Sequence, residues 1–202
     1  MKETLLNTNE TILSKKVVEK AGISDIAGVI EVQNSFFVTA EQLYENPSFS
    51  EQGFLMYKTS VEELEKVINS PLDHIFLVAK DGDKIIGYIL CYSLDKWKEE
   101  KPYWEGSVVL DKDVPNQILE KKTLYLRQVA VLKGNPGLGA DLEKTMLECA
   151  KDDGYEVAIG DILHSPVENT KSMKIHSRRG FKKIGFVKDG DLVWNLMYKT
   201  LG

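Results

Sequence analysis

The chain has 202 residues, with 26 Lys and Arg against 31 Asp and Glu, and a formal net charge of −5 at pH 7. This balance leaves no broad basic face, so nucleic acid is not the expected partner. The apolar runs are far shorter than the roughly 20 residues that a membrane helix needs, and the polar start lacks the apolar segment of a signal peptide. We therefore expect a soluble, cytoplasmic protein that does not bind membranes.

The chain is predicted to form one domain, because no repeat, low-complexity segment or Ser/Gly-rich linker divides it. Residues 1–14 are predicted to be an N-terminal tail and residues 15–202 the domain. Residues 94–120 mix aromatic residues, charges and prolines, which makes them a candidate insertion on the substrate side. Cys91 and Cys149 lie in apolar patterns and are predicted to be buried thiols.

The first half of the chain predicts a strand, two helices and a hairpin. After a short strand at "KKVVEKA", the apolar spacing of "SDIAGVIEVQNSFF" predicts an amphipathic helix with Ser24 available as N-cap. Ser60 and Glu63 form a capping box at the start of "TSVEELEKVINS". The strands "HIFLVAK" and "KIIGYILCYS" are joined through Asp81 and Gly82, which suit a tight hairpin turn.

The second half of the chain alternates strands and helices. The strand "LYLRQVAVL" leads through a glycine-rich loop into a helix that ends near Gly154. A strand at "YEVAIGDIL", a helix over about 167–179 and two strands at "FKKIGFVK" and "LVWNLMYK" complete the order β-α-α-β-β-β-α-β-α-β-β. This order predicts an α/β fold with a mixed, mostly antiparallel sheet and at least one βαβ crossover.

The loop "GNPGLGA", residues 134–140, is a candidate phosphate-binding element. It has the glycine spacing of a P-loop, but Ala140 and Asp141 stand where that motif needs Lys and Ser or Thr. A dinucleotide fingerprint would need Gly or Ala where the chain has Leu142. The remaining interpretation is that loop amides at a helix N-terminus hold a pyrophosphate. The alternative, that the glycines only serve a tight strand-to-helix turn, stays open.

A second motif follows this loop. The segment "NTKSMKIHSRRGF", residues 169–181, together with the loop resembles the GNAT superfamily of N-acetyltransferases, and the resemblance covers about residues 15–200. It implies a single GNAT-like α/β (α+β) domain whose mixed sheet is flanked by helices. In this family two central strands, here those beginning near Tyr125 and Tyr155, splay around CoA.

The resemblance implies an enzyme that moves an acetyl group from acetyl-CoA to a primary amine, by direct attack through a ternary complex. The alternative is a non-catalytic CoA-binding or protein-interaction domain of the same fold. Gly134 stands where the family has Arg or Gln, so phosphate binding would depend on backbone amides. The implied cofactor-binding residues are Val129, Ala130, Val131, Gly134, Asn135, Gly137, Leu138, Gly139, Ala140, Asn169 and Ser172. No metal is expected.

Three residues are candidates for proton transfer. His176 occupies the position where the family often has a tyrosine that protonates the departing thiolate, and a protonated imidazole could do the same. The strand "TLYLRQVAVL" offers no carboxylate. Asp161 and His164, at the end of the following strand, are then the nearest groups that could take the proton of the amine through water. A packing role for His176, and structural or substrate-facing roles for the other two, stay open.

The acceptor is expected to enter between the early helices, the middle segment and the C-terminal hairpin. Acidic and aromatic side chains there would favour a cationic amine on a small molecule or peptide; the alternative is that these charges are solvated and the aromatics form core. We expect a monomer or a homodimer. The side chains concerned are Phe36, Phe37, Tyr44, Trp97, Tyr103, Trp104, Glu99, Glu100, Glu105 and Asp111.

Overall fold

A computed structural model describes residues 16–202, and the predicted tail, residues 1–14, lies outside them. Within the described residues eight strands form one mixed sheet in the order β1-β2-β3-β5-β6-β8-β7-β4. The strands are β1 (Lys16–Lys20), β2 (His74–Asp81), β3 (Lys84–Ser93), β4 (Val108–Leu110), β5 (Thr123–Val131), β6 (Val157–Ser165), β7 (Lys182–Asp189) and β8 (Leu192–Thr200). The predicted single α/β domain with a mixed sheet is confirmed.

Helices cover both faces of the sheet. They are α1 (Ile26–Phe36), α2 (Ala40–Glu45), α3 (Phe49–Gln52), α4 (Val61–Asn69), α5 (Leu94–Glu100), α6 (Trp104–Ser107), α7 (Leu138–Asp152) and α8 (Thr170–Arg178). Short 3-10 helices span Ile23–Asp25, Pro71–Asp73 and Asn116–Leu119. None of the helices within residues 16–202 is long and apolar enough to cross a membrane.

Two helix starts differ from the sequence predictions. Ser24 lies inside a 3-10 turn that leads into α1, and Gly22 precedes that turn, with its N–H donating to Oδ2 of Asp25 at 2.9 Å. At α4, Ser60 is the N-cap as predicted, and its Oγ accepts from the Glu63 N–H at 3.1 Å. The Glu63 carboxylate accepts from the Tyr92 hydroxyl at 2.6 Å, so half of the predicted capping box forms.

The hairpin of β2 and β3 forms the centre of the first half of the sheet. Asp81 pairs with Lys84, which leaves Gly82 and Asp83 as the turn, and Gly82 has a φ of 60° that favours glycine. Side chains of β3 alternate between the two faces, so Tyr88 and Leu90 join one core cluster while Ile89 and Cys91 join the other. Alternation therefore places one buried strand between two layers of core.

The two cysteines are free thiols, and the predicted burial holds for Cys91 but only in part for Cys149. Cys91 is fully buried on β3, whereas Cys149 on α7 is partly buried. Burial raises the pKa of the Cys91 thiol well above its usual value, because the interior disfavours the thiolate. Both residues therefore act as small hydrophobic side chains.

Residues 94–120 connect the two halves of the molecule. Helix α5 packs on β3 and β5 in the first half, whereas α6 packs on β7 and β4 pairs antiparallel with β7 in the second half. The chain thus passes from one half-sheet to the other before it returns to β5. Whether this segment is an insertion relative to its family stays a prediction.

The central strands separate after a short parallel seam. β5 and β6 pair over four residue pairs, of which the last is Leu126 with Gly160. Beyond that pair β5 continues to Val131 and β6 to Ser165, and the described residues place no other strand between them. The predicted splay of these two strands is confirmed, and it leaves an open edge on each.

Candidate active site

The open edge of β5 exposes backbone groups to the gap between β5 and β6, which begins after Leu126 and Gly160. The N–H of Leu132 donates to the carbonyl of Ile86 at 2.8 Å, so this residue pair is hydrogen-bonded. Because hydrogen-bonded pairs alternate along an antiparallel ladder, Ala130 directs its backbone groups to β3, whereas Val129 and Val131 direct theirs to the gap. The predicted roles of Val129 and Val131 fit this geometry, and that of Ala130 does not.

A cavity of about 150 Å³ occupies the gap. Five of the predicted site residues line it, namely Val129, Asp161, Asn169, Ser172 and His176. Its walls are mostly apolar, and the predicted aromatic residues of the middle segment, Trp97, Tyr103 and Trp104, take part in them. The aromatic lining residues are Phe54, Tyr57, Trp97, Tyr103, Trp104, Tyr125 and Trp194. The cavity therefore combines an apolar wall with few polar groups, as ligand sites usually do.

A β-bulge in β5 adds polar side chains to this cavity. Leu90 of β3 pairs with Gln128 and the next residue, Cys91, pairs with Leu126, so Arg127 is the extra residue. A bulge of this type re-aims side chains and lets adjacent residues share a face. As a result both Arg127 and Gln128 line the cavity.

The acidic residues predicted near the acceptor do not line the cavity. Glu99 and Glu100 form ion pairs with Lys96, and Glu105 forms one with Lys98. Among the described residues the lining carboxylates are Asp161 and Asp189 instead. The expected acidic lining is therefore wrong, because these glutamates are paired with lysines of their own or the neighbouring helix. Phe36, Phe37, Tyr44 and Asp111 also lie outside the lining.

Asp161 lies on β6 one residue beyond the last pair of the seam. Its Oδ2 accepts the indole N–H of Trp104 at 3.0 Å and the hydroxyl of Tyr125 at 2.9 Å. Its Oδ1 is buried and has no hydrogen-bond partner within residues 16–202. The carboxyl group is therefore fixed through one oxygen, and the other is free to accept a proton or a hydrogen bond.

Burial raises the pKa of Asp161 from 3.8 to about 6. The loss of solvation disfavours the carboxylate, while the hydrogen bonds from Trp104 and Tyr125 and the charge of Arg127 act in the opposite direction. A carboxyl group with this pKa is ionised at neutral pH and is a stronger base than an exposed aspartate. Such a value is typical of groups that transfer protons in active sites.

His176 is buried on α8 with its ring edge against Phe181. Its Nδ1 lies 2.9 Å from the carbonyl oxygen of Ser172. Because a carbonyl can only accept, Nδ1 carries the proton and Nε2 is the acceptor in the neutral ring. Burial lowers the pKa of His176, which favours this neutral form. The predicted general-acid role stays a prediction, and the lowered pKa works against it.

His164 and Asn169 are held by contacts inside the protein. His164 lies outside the cavity lining, with Nδ1 3.3 Å from the Glu168 carboxylate and its ring near Phe186. Asn169 lines the cavity, but its side chain donates to the carbonyl of Phe54 at 3.1 Å and accepts from the Ser172 N–H at 3.1 Å. The structure therefore brings Asp161 and His176 to one cavity and leaves His164 outside.

Asn169 also corrects the predicted start of its helix. The sequence predicts a helix over about 167–179, and in the structure α8 begins at Thr170 with Asn169 as N-cap. The Asn169 side chain satisfies the Ser172 N–H, which would otherwise have no partner. The cap thus lies next to the cavity and anchors the helix that carries His176.

The glycine loop lies at the far end of β5, outside the cavity lining. Gly137 is the N-cap of α7 with a φ of 85°, and the N–H groups of Gly137 and Gly139 donate to no other described residue. By contrast, the N–H of Ala140 already donates to the carbonyl of Gly137 at 2.8 Å. Two free amides at the N-terminus of a fifteen-residue helix form a suitable environment for an anion.

Arg179 supplies a cation beside this helix N-terminus. A Cβ placed on Gly139 would lie 3.5 Å from Nη2 of Arg179, and Nη1 of the same side chain forms an ion pair with the buried Glu143. The sequence showed Gly134 without the family's charged or amide side chain. Arg179 places a fixed positive charge close to the loop from a different element, after the end of α8.

Comparison with known proteins identifies one matching protein family. Residues 34–181 match the sequence model of the acetyltransferase (GNAT) family. No curated protein sequence gives a significant match to the chain.

Solved structures similar to this chain include two N-acetyltransferases and one protein solved with acetyl-CoA. PaiA N-acetyltransferase of Thermoplasma acidophilum, solved with coenzyme A, is 18% identical, with 92% of this chain and 99% of that chain covered and a TM-score of 0.58. YncA of Salmonella typhimurium, solved with its cofactor acetyl-CoA, is 16% identical over 94% and 95%, with a TM-score of 0.58. The ribosomal-protein-S18-alanine N-acetyltransferase of Escherichia coli is 10% identical over 93% and 95%, with a TM-score of 0.58. These likenesses concern the fold.

Proposed function

Because the chain belongs to the acetyltransferase (GNAT) family, we propose that it transfers the acetyl group of acetyl-CoA to a primary amine by direct attack within a ternary complex. The observation that carries this proposal is the position of Asp161. It lies where β5 and β6 separate, with one fixed oxygen, one free oxygen and a pKa raised to about 6. A proton acceptor thus lies in the same cavity that the open strand edge borders.

The residues of the gap fit the cofactor that the family implies. Acetyl-CoA supplies the acetyl group as a thioester, which an amine can attack directly. Val129 and Val131 offer N–H and C=O groups that match the amides of a pantetheine arm. The free amides of Gly137 and Gly139, with Arg179 beside them, suit a pyrophosphate. These residues would hold the cofactor along one line from the cavity to the loop.

Asp161 would act as the proton acceptor for the amine. An alkylammonium ion has a pKa of about 10.4 and no free lone pair, so it must lose a proton before or during attack. The carboxylate of Asp161 is ionised above pH about 6, and its unpartnered Oδ1 can take that proton directly or through one water. Trp104 and Tyr125 keep the carboxylate in one orientation while this happens.

Other groups of the cavity would position the reactants. The N–H of Val129 points to the gap and is available to donate to the acyl oxygen. The apolar part of the walls would disfavour water near the reacting atoms and so strengthen these polar interactions. Positioning of this kind can contribute several kcal/mol, about 7–11 in the best cases, without any covalent bond to the protein.

The test is an assay of free thiol release from acetyl-CoA with panels of primary amines, next to calorimetric titration of CoA. We expect CoA binding, and thiol release that depends on an amine and falls in the Asp161→Asn variant. CoA binding without turnover on a broad panel would support the non-catalytic alternative. Absence of CoA binding would overturn the proposal.

A further inference from the structure

We propose that the acceptor is an amine that also carries a carboxylate, and that Arg127 binds this carboxylate inside the cavity. This inference rests on the proposed acetyl transfer and names the class of its acceptor. It replaces the cationic acceptor expected from the sequence, since the glutamates behind that expectation are paired elsewhere. Four observations support it.

First, the fold directs Arg127 into the cavity. Arg127 is the extra residue of the β5 bulge and lines the cavity together with Tyr125 and Gln128. Strict alternation from Tyr125 already places Arg127 on the same face of β5. The bulge brings Gln128 to that face as well, so the cation and the amide share one wall of the cavity.

Second, Arg127 has no carboxylate partner. None of the ion pairs formed within residues 16–202 includes it. Its Nε is buried and has no hydrogen-bond partner among those residues. The residue is half-buried, and its Nε–H is a donor without a partner, which an anion in the cavity would satisfy.

Third, the guanidinium is held by aromatic rings. Its central carbon lies 5.1 Å from the ring centroid of Trp97 and 5.4 Å from that of Tyr57. These contacts fix the side chain through its face and use none of its N–H donors. The donors on its edge remain available, and a planar fork of donors matches a carboxylate.

Fourth, the charges that line the cavity balance, with Arg127 and Lys101 against Asp161 and Asp189. Asp161 already accepts from Trp104 and Tyr125, and Asp189 accepts from the Tyr57 hydroxyl at 2.9 Å. Lys101 also lines the cavity and forms no ion pair with the described residues. An acceptor with both an ammonium and a carboxylate group keeps this balance, whereas a purely cationic amine would leave an excess of positive charge.

The arrangement also explains how one acceptor could satisfy both polar ends of the cavity. Arg127 on β5 and Asp161 on β6 lie on opposite sides of the gap and line the same cavity. A carboxylate bound to the guanidinium would leave an amine of the same molecule near the Asp161 carboxylate. The rings of Trp97, Trp104 and Tyr125 would hold the apolar body between them.

The test uses three amines with the same phenyl group that carry a carboxylate, a carboxamide or neither: phenylalanine, phenylalaninamide and 2-phenylethylamine. We expect the wild-type kcat/KM for phenylalanine to exceed those of the two others by about tenfold to a hundredfold, because a charged hydrogen-bonded pair is made or lost. In Arg127→Gln this preference should fall to near one, mainly through KM. Arg127→Lys should keep part of it, since a point charge cannot form the bidentate pair.

Two controls keep the result interpretable. Arg178→Gln removes the same charge from an exposed position outside the cavity and should leave the preference unchanged. Thermal unfolding of Arg127→Gln should show only a small loss of stability, because the ring contacts with Trp97 and Tyr57 are lost but no internal ion pair is removed.

A binding measurement separates this inference from the proposed function. Calorimetric titration of the CoA complex with phenylalanine and phenylalaninamide reports the carboxylate site even if no acetyl transfer occurs. Two results would overturn the inference and leave the proposed function intact. One is equal turnover of amines with and without a carboxylate, and the other is an unchanged preference for the carboxylate in Arg127→Gln. Absence of turnover with retained, Arg127-dependent carboxylate binding would overturn the function alone.

Discussion

Trp104 donates its indole N–H to Oδ2 of Asp161 across 3.0 Å, although the two residues lie 57 positions apart in the chain. Tyr125, from the strand on the other side of the gap, donates to the same oxygen. The carboxylate is thus held by one residue of the middle segment and one of β5. Its pKa and orientation depend on both.

Replacing Asp161 by Asn should reduce kcat by about 10²–10⁴-fold, the usual contribution of a positioned proton acceptor. In the wild type kcat should fall as the pH drops through about 6, because the carboxylate is protonated there. The pH profile of kcat at saturating acceptor measures this limb. An Asp161→Asn variant with wild-type kcat would exclude Asp161 as the acceptor of the proton.

The same substitution should stabilise the fold at neutral pH. The pKa of Asp161 is about 4 in the unfolded chain and about 6 in the folded protein, so ionisation of this group destabilises the fold as the pH rises from about 4 to about 6. Asn carries no charge, so the variant should gain up to about 3 kcal/mol on the wild type above pH 6 and nothing below pH 4. Urea unfolding at pH 4 and pH 7.5 tests this difference.

Replacing Trp104 by Phe should move the acidic limb of the pH profile to higher pH. The indole N–H stabilises the carboxylate and lowers its pKa, so its removal raises the pKa further above the usual range. Trp97→Phe is the matched control, because Trp97 stacks on Tyr125 but its Nε1 has no hydrogen-bond partner in the described chain. An equal shift in both variants would mean that packing sets the limb.

Replacing Gly137 by Ala should weaken CoA binding. The φ of 85° costs a residue with a Cβ about 1–2 kcal/mol, and relief of this strain would reorient the free amides at the start of α7. Gly190→Ala introduces a similar strain in the β7–β8 turn, with a φ of 58° and no atom near the new Cβ. Both variants should lose stability, and calorimetry should show weaker CoA binding in Gly137→Ala alone.

Replacing Arg179 by Gln should weaken the binding of CoA and also destabilise the fold. Glu143 is buried and would be left as an unpaired charge, which typically costs about 3–5 kcal/mol. The double variant Arg179→Gln with Glu143→Gln should recover most of the stability but still bind CoA weakly, and a pantetheine fragment without phosphates should bind equally to all forms. Wild-type CoA affinity in the double variant would limit Arg179 to a structural role.

Replacing His176 by Phe should leave the shape of the pH profile above pH 7 unchanged. The lowered pKa means that the imidazolium is a minor species there, so it cannot supply a proton that the variant would lack. The wild type should also lose stability as the pH falls below about 6.5, where the unfolded histidine takes up a proton. A basic limb present in the wild type and absent in the variant would establish the general-acid role.

The local elements of the fold could be predicted from the sequence where short-range chemistry decides them. The β2–β3 turn at Gly82 and the cap at Ser60 depend on neighbours within four residues. Ser24 failed as a cap because Gly22, two residues earlier, begins a 3-10 turn, and this competition is not visible in the apolar spacing. Alternatives within one turn of each other are hard to separate from sequence.

The site was predictable only in part, since its polar groups meet through distant contacts. Asp161 was found as a titratable group at a strand end, but nothing local indicates that Trp104 and Tyr125 hold it. Arg127 looked like an ordinary strand residue, because the bulge arises from the register with β3. Arg179 lies inside the second motif, residues 169–181, at the end of a helix, and this position is the sequence signal that points to it.

The short seam between β5 and β6 also bears on folding. It joins a half-sheet of β1, β2, β3 and β5 to a half-sheet of β6, β8, β7 and β4 through four residue pairs, the smallest connection between central strands. When a native protein opens in part, the region that loses the fewest interactions separates first. Amide protons along the seam should then exchange by separation of the two half-sheets, at a lower free energy than those of β3 or β8. We expect the gap to be the place where the two half-sheets separate first, and a ligand bound across it would oppose that separation.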